Sequence, residues 1–586
     1  MQINPVIPAE KTSTPSASFS IALIGSGGSG VMTAGSLLLD AAGHAGWYAY
    51  MTRSSGPQIR GGEAAAMIRI SNTPVESHDD RFDLLIAIDW RNADRFAAEI
   101  PLDGNSLIVA DPEGGVIPQL IKNMGARYSD LPMKALAKDI AGGRPNMVAL
   151  GAVTALIELP EKSLLGVVGK VLQKKGEAAI TASTDAVRSG INACADFPSC
   201  GLLEPVVTLP ARRWSITGNE AVGMGALRGG VRFVAAYPIT PATEVLEWLA
   251  PALDKVGGVL VQAEDELSSV NQIIGASFGG VPSLTATSGP GLALMMESIG
   301  LAVAAEVPIV VVNVMRGGPS TGIPTKSEQT DLNIALYGLH GDAPHLVVAP
   351  TSVADCMFVT QWAVQLAEAL QTPAIVLSDQ LLGQTRAVLD RPADLALLER
   401  RNVATRIESE YERYAVTASG ISPMAIPGTA GGQYTAGGLE HNESGTPSSQ
   451  ADDHRIQLDK RHHKLHGFNY GDHWADIAGA GEIAVITWGS SCGPVREALA
   501  QRRGGGRDIR VIAMRLLSPE QPEKLKAALQ GINRVLVVEQ SHSGQFYRYL
   551  RAHYDLPGET RAFYRPGPLP IRPREVHEKL AEWDQL

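Results

Sequence analysis

Short apolar runs alternate with longer helical patterns along most of the chain, and they fall into three regions. The first opens with "FSIALIGSGGSGVMTAGSLLLDAAGHAG". An apolar strand from Phe19 to Ile24 enters a Gly-rich turn and then a helical pattern, the start of a Rossmann-like unit. Further strands are predicted at "EAAAMIRIS", "DLLIAID" and "SLIVAD", and the region ends near "CGLLEPVVTLPARRW", where Pro205 and Pro210 bracket an extended linker. The second region begins at "ITGNEAVGMGALRGG" and carries strands at "RFVAAY", "GVLVQA", "SLTATS", "PIVVVNV", "HLVVAP" and "PAIVLSD". Apolar runs of that length between helical patterns predict a parallel, doubly wound sheet buried on both faces. From about Arg400 to Ala475 the pattern fades into "ASGISPMAIPGTAGGQYTAGGLEHNESGTPSSQADDH", Gly/Ser/Pro-rich and long for a loop, so either disordered or functional. A smaller βαβ region follows at "EIAVITWGSSCGPVREALA", "DIRVIAMRLLS" and "RVLVVEQSHSGQF". The expected organisation is α/β throughout: a loose tail over 1–18, domains over 19–205 and 206–400, an irregular linker over 401–475 and a last domain over 476–586.

Composition narrows the class without changing that picture. At 586 residues the chain exceeds what one core fills, and 45% apolar with 19% charged residues is the balance of a globular enzyme. A net charge of −11 argues against a nucleic-acid or anionic-membrane partner. The nearest basic stretch, "DKRHHKLHG" from Asp459 to Gly467, reads as a solvated segment. The longest apolar region, "GLALMMESIGLAVAAEVPIVVVNVM", is interrupted by Glu297, Glu306 and Pro308, so it reads as a buried helix and strand rather than a membrane span. No signal peptide is legible at the N-terminus, and a cytoplasmic location is expected. Cys194, Cys200, Cys356 and Cys492 show no Cys-x-x-Cys spacing, so this chain is expected to hold no disulfide framework and no iron–sulfur cluster.

The chemistry concentrates at the strand ends of the second region. In "RFVAAYPITPATEVLEWLAPAL" Thr240 is placed to cap a helix whose first position is Pro241, with Pro238 stiffening the other side. The amides of Ala242 and Thr243 then form a small anion site. An isolated Thr-Pro is ordinarily just a helix start. Its neighbours change the weighing. "VQAEDELSSVNQIIGASFGG" puts Glu264, Asp265 and Glu266 in the first turn of the next helix, over a stripe of Leu267, Val270 and Ile274. "TATSGPGLALMME" gives a strand, a turn at Ser288-Gly289 and a helix, and "VVNVMRGGPSTGIPTKSEQTDL" ends a strand at Arg316 and continues into a loop with Lys326. Successive strand ends decorated this way point to one crevice.

Taken in order, "GNEAVGMGAL", "YPITPATE", "EDELSSVNQIIGAS", "TSGPGLALM" and "RGGPSTGIPTKSEQTDL" closely resemble the α subunit of 2-oxoacid:ferredoxin oxidoreductases. The stretch "GSGGSGVMTAGSLL…RSSGPQIRGGEAAAMIRIS" resembles the γ region of these enzymes, fused here ahead of the α part, and "VVEQSHSGQFYRYL" resembles their transketolase-like C-terminal domain. The likeness implies that 206–400 is the pyrimidine-side domain of a thiamine diphosphate enzyme. It implies a glutamate on N1′ of the aminopyrimidine, favouring the tautomer that takes the C2 proton. Glu266 fits that glutamate, because Gly275-Ala276 lies at the family spacing after it; Glu264 stays open. By the same likeness Pro238, Ile239, Thr240, Ser288 and Gly289 join Glu266 in binding the cofactor, Thr240 and Arg316 meet the 2-oxoacid carboxylate, and Lys326 meets a second, distal carboxylate.

The chain has no Gly-Asp-Gly for the diphosphate and its metal; "HGDAP" and "YGDHW" come nearest. The resemblance therefore implies a β subunit carrying Mg2+ and a [4Fe–4S] cluster, an (αβ)2 assembly, ferredoxin as electron acceptor and coenzyme A as cosubstrate. The expected activity is that of 2-oxoglutarate:ferredoxin oxidoreductase, in either direction. Pyruvate or a branched-chain oxoacid is the alternative substrate, and a non-catalytic scaffolding or regulatory subunit is the alternative role. Gly25-x-Gly27-x-x-Gly30 lacks the acidic residue that NAD binding needs about twenty positions on. That loop stays open between a structural turn and a coenzyme A contact.

Overall fold

The computed structural model describes residues 15–56, 62–197, 200, 202–204, 213–395, 400–407, 410–502 and 508–583. They form two compact units. The first joins residues up to Ile216 with Gln384–Pro392 and Arg572–Glu575. Its eight-stranded sheet runs, in spatial order, Arg127–Asp130, Leu107–Ala110, Leu84–Ala87, Ser18–Ser26, Glu63–Ser71, Tyr48–Ser55, Arg386–Asp390 and Arg213–Thr217. The first four are parallel, Glu63–Ser71 runs antiparallel to Ser18–Ser26 beside it, and Tyr48–Ser55 runs antiparallel to Glu63–Ser71 and so in the direction of the first four. Strand alternation sorts the core by face: Ile21 and Leu23 pack with the helices on one side, Ala22 and Ile24 with Phe82, Trp90 and Phe96 on the other. The Gly-rich turn enters the Val31–His44 helix with Gly30 at φ 84°, and a Cβ there would lie 2.4 Å from Asn146 Nδ2. That conformation and that approach both require glycine.

The second unit contains two sheets. The larger has the order Val259–Gln262, Phe233–Ala236, Ser283–Thr287, Val310–Met315, Ala374–Asp379, Leu346–Val348 and Leu516–Ser518, parallel except for the last. The smaller has the order Ala475–Ala478, Ile509–Met514, Ile483–Trp488, Arg534–Glu539 and Glu559–Tyr564. The α/β class holds throughout. Among the described residues no helix is long and apolar enough to cross a membrane.

Four local expectations need correction. Within the 1–18 tail, residues 1–14 lie outside the described residues, but Pro15–Ser16 is a strand paired with Leu202–Leu203. Pro205 and Pro210 of the expected linker also lie outside them. The strand Arg386–Asp390, assigned by sequence to 206–400, pairs instead with Tyr48–Ser55 of the first unit, satisfying that strand's free edge. "DIRVIAMRLLS" is two strands: the chain breaks at Arg515, whose Nε donates to the Asp355 carboxylate at 2.9 Å, and Leu516–Ser518 joins the larger sheet. The 401–475 stretch contains a sixteen-residue helix, Ala451–His466, and the "solvated" basic segment buries Lys460, Arg461 and Lys464. The lysines both meet Glu306, Lys460 Nζ at 2.5 Å from Oε1 and Lys464 Nζ at 2.9 Å from Oε2. Paired charge fills that interface alongside the buried Leu465 and Tyr414 side chains.

Candidate active site

Four adjacent parallel strands of the larger sheet, Val259–Gln262, Phe233–Ala236, Ser283–Thr287 and Val310–Met315, deliver Glu266, Pro238 to Thr240, Ser288 with Gly289, and Arg316 to their carboxyl ends. Such an edge is where open α/β sheets bind ligands.

The Pro-Ile-Thr-Pro segment is held differently from its sequence expectation. The helix runs Thr243–Leu253 with Ala242 at the cap, so Thr240 does not cap it. The amides of Ala242 and Thr243 both donate to the Ile239 carbonyl, at 2.8 and 3.1 Å, which removes the anion site proposed for them. The segment wraps on itself and is pinned from two sides. Asn219 Nδ2 donates to Pro241 O at 3.0 Å, and Arg316 Nη1 donates to Thr240 O at 2.6 Å. Thr240 itself is exposed.

The next helix, Glu266–Phe278, separates the three acids. Glu264 and Asp265 are exposed, Asp265 capping the helix by accepting from Ser268 N at 2.6 Å, while Glu266 is 7% exposed. The helix buries Ser269, Val270, Ile273 and Ser277; of the stripe read from sequence Val270 is buried as expected, while Leu267 is 47% exposed and Ile274 half-buried. The polar serines hid the rest of the buried face. Beside Glu266 begins the Gly289–Ala304 helix, and a Cβ on Gly291 would sit 2.7 Å from Glu266 Oε1 and 2.1 Å from Thr287 Oγ1. A glycine there leaves room for the carboxylate.

A second acid lies on the other flank. Half-buried Asp331 accepts from Asn313 Nδ2 at 2.8 Å, and a Cβ on Gly289 would meet both its carboxylate oxygens at 2.8 Å. Burial pushes its carboxyl up to about 6, Asn313 and Arg316 pull the other way, and Glu328 adds to the rise. Burial lowers the Arg316 pKa, and Asp331 partly offsets that. From Arg316 the chain folds back on itself. Gly317 N donates to Lys326 O at 2.9 Å and Ile323 N to Gly317 O at 2.7 Å, which brings half-buried Lys326 next to the residue after Arg316. Ser288 Oγ, Arg316 Nε and Thr330 Oγ1 are buried without hydrogen-bond partners. A buried carboxylate, orphaned donors and two glycines cleared of side chains fit a polar, ring-shaped cofactor such as the aminopyrimidine of thiamine diphosphate.

A family model described as "Pyruvate flavodoxin/ferredoxin oxidoreductase, thiamine diP-bdg" matches residues 224–460, and one described as "Pyruvate ferredoxin/flavodoxin oxidoreductase" matches 20–193. The α subunit of 2-oxoacid:ferredoxin oxidoreductase 2 from Aeropyrum pernix is 32% identical over 75% of this chain and 74% of its own length. The 2-oxoglutarate synthase subunit KorA of Methanothermobacter marburgensis is 34% identical over 62% of this chain and 97% of its own. The chain belongs to the 2-oxoacid:ferredoxin oxidoreductase family. Its place is that of an α subunit with the γ region fused ahead. A solved 2-oxoglutarate:ferredoxin oxidoreductase from Magnetococcus marinus, with 2-oxoglutarate, coenzyme A and succinyl-CoA bound, superposes at a TM-score of 0.89, with 34% identity, over 97% of this chain and 99% of that one.

All sequence-predicted site residues of this oxidoreductase subunit come to the one sheet edge or the loop that leaves it. Sequence reasoning missed Asn219, Gly291, Asn313 and Asp331. The run "GNEAVGMGAL" contained Asn219, and "SEQTDL" contained Asp331, but neither residue announces its partner without the fold.

Proposed function

We propose that this chain is the α subunit of a 2-oxoglutarate:ferredoxin oxidoreductase. Its reaction converts 2-oxoglutarate, coenzyme A and two oxidised ferredoxins into succinyl-CoA, CO2, a proton and two reduced ferredoxins, or runs in reverse. Thiamine diphosphate, when bound, supplies the electron sink that the decarboxylation requires. Glu266 would hold the aminopyrimidine and carry the proton shared with its N1′, and burial of the carboxylate would shield that proton from bulk water. Pro238, Ile239, Ser288 and Gly289 line the same ring. Arg316 and Thr240 bind the 2-oxoacid carboxylate, and Lys326 binds the distal carboxylate that distinguishes 2-oxoglutarate from pyruvate. The observation that carries the reading is the convergence of Glu266, the Pro238–Thr240 segment and Arg316 on adjacent strand ends, with Arg316 bonded to Thr240.

A β subunit completes the site with Mg2+, the diphosphate grip and a [4Fe–4S] cluster, in an (αβ)2 assembly working in the cytoplasm. The test is co-purification with that partner and measurement of coenzyme A-dependent ferredoxin reduction. Preference for 2-oxoglutarate over pyruvate is expected; equal or better use of pyruvate, or full turnover by this chain alone, contradicts the proposal.

A further inference from the structure

We propose that Asp331 takes up a proton when the carboxylate of the 2-oxoacid binds at Arg316, so that substrate binding is proton-linked. The inference rests on the function proposed above. Asp331 occupies the cap position of the Leu332–Tyr337 helix, yet its side chain caps nothing. The carboxylate turns instead toward Asn313, 2.8 Å away, and is backed by Gly289.

The chain on either side of Asp331 is held in place. Fully buried Gln329 donates through Nε2 to Trp488 O at 2.9 Å and accepts through Oε1 from Ser491 Oγ and Gln540 N, both at 2.7 Å. Gln545 donates to Thr330 O at 2.9 Å and accepts from Asn333 N at 2.9 Å. One corner of the Arg316 fork is already spent on Thr240 O, and its Nε is buried with no hydrogen-bond partner.

An arriving substrate carboxylate therefore brings a second negative charge to a guanidinium whose field already acts on Asp331, a carboxylate bonded to Asn313 of the strand that leads to Arg316. A second carboxylate near the same cation raises the proton affinity of the buried carboxylate already there. The charged groups that face Asp331 are Arg316, which opposes protonation, and Glu328, which favours it. With its carboxyl already pushed up to about 6, a modest further rise carries it through neutral pH. The proton comes from water and settles on an Asp331 oxygen, leaving the Arg316 charge to the substrate. Asp331 acts through Arg316 and is in that sense a positioning residue.

The experiment uses the αβ complex and glutarate, a dicarboxylate without the reactive 2-oxo group. Calorimetry at pH 7 in buffers of different ionisation enthalpy reads protons taken up on binding. More than about half a proton is expected for the wild type and none for Asp331→Asn. From pH 6 to pH 8 the wild-type Kd for glutarate, and the KM for 2-oxoglutarate, rise roughly tenfold, while Asp331→Asn stays within about twofold across that range. A pH-independent wild-type KM and Kd overturn the proposal whether or not the variant folds. So does the same proton uptake in Asp331→Asn. A complex that does not turn over 2-oxoglutarate at all refutes the function instead, so the two failures are separable.

Discussion

Replacing Glu306 by Gln tests what holds the 401–466 segment in place. Glu306 ends the Gly289–Ala304 helix region in the left-handed conformation, φ 50°, a position that usually takes glycine. A side chain there is justified by what it meets: Lys460, Lys464 and, through its backbone carbonyl, Arg413 Nη2 at 2.9 Å. Burial alone would raise the Glu306 pKa, but Lys464, Lys460 and Arg413 overturn that and hold the carboxyl well below its ordinary 4.5. The glutamine variant keeps the shape and removes the charge, leaving two buried ammonium groups without a counter-ion. Breaking one partner of a buried ion pair costs about 3–5 kcal/mol. Should the Ala451–His466 helix open as a local unit, its hydrogen-exchange protection falls by roughly two to nearly four decades in Glu306→Gln. Neutralising the whole group, as Glu306→Gln with Lys460→Met and Lys464→Met, recovers most of that loss, because no charge is then left unpaired. Unchanged protection in Glu306→Gln, or a triple variant weaker than the single one, refutes the reasoning. The sign with pH follows from the depressed pKa. The stabilisation is complete above the unfolded value near 4.5 and is lost as pH falls toward the folded value, so thermal stability of the helix should decline below about pH 4.5 in the wild type and much less in the triple variant.

Further outcomes are expected at the site. Gly291→Ala puts a methyl 2.7 Å from Glu266 Oε1 and 2.1 Å from Thr287 Oγ1, so it should displace the carboxylate and lower kcat by more than about tenfold while costing about 1–3 kcal/mol in a melting experiment. Lys326→Ala should raise the KM for 2-oxoglutarate by about tenfold and leave that for pyruvate within about twofold, measured as ferredoxin reduction; an unchanged ratio removes Lys326 from substrate choice. Asn219→Ala frees the Pro241 carbonyl and should raise KM for either oxoacid, with thiamine diphosphate binding within about threefold of the wild type by calorimetry.

The central strands of both units were legible because short apolar runs bounded by turn residues have few alternatives: those predicted at "EAAAMIRIS" and "SLTATS" appear as Glu63–Ser71 and Ser283–Thr287, whereas strands such as Tyr48–Ser55, Arg127–Asp130 and Glu559–Tyr564 were not predicted. What could not be read were features decided by distant partners. Arg386–Asp390 looked like a continuation of its own domain, and only a free edge elsewhere reassigns it. The Ala451–His466 helix has no apolar stripe, since the residues it buries include Gln457, Lys460, Arg461 and Lys464. At the site, residue types and strand ends put three acids, Glu264 to Glu266, and Arg316 at one edge, and only the family spacing singled out Glu266. The Thr-Pro helix start misled because a local carbonyl, Ile239 O, takes the amides that a ligand was expected to use. Asp331 stayed invisible because its meaning depends on Asn313 and Gly289, eighteen and forty-two positions away in sequence but in contact in space.

The central claim is that the buried Glu266 carboxylate does chemistry on a cofactor completed by a partner chain. Glu266→Gln in the reconstituted αβ complex tests it most directly, with coenzyme A-dependent ferredoxin reduction by 2-oxoglutarate as the readout and hydrogen exchange over 266–278 as the check on folding. The account predicts a loss of kcat of about 10²- to 10⁴-fold with the helix equally protected. Turnover within about twofold of the wild type, in a variant that is properly folded, would contradict it.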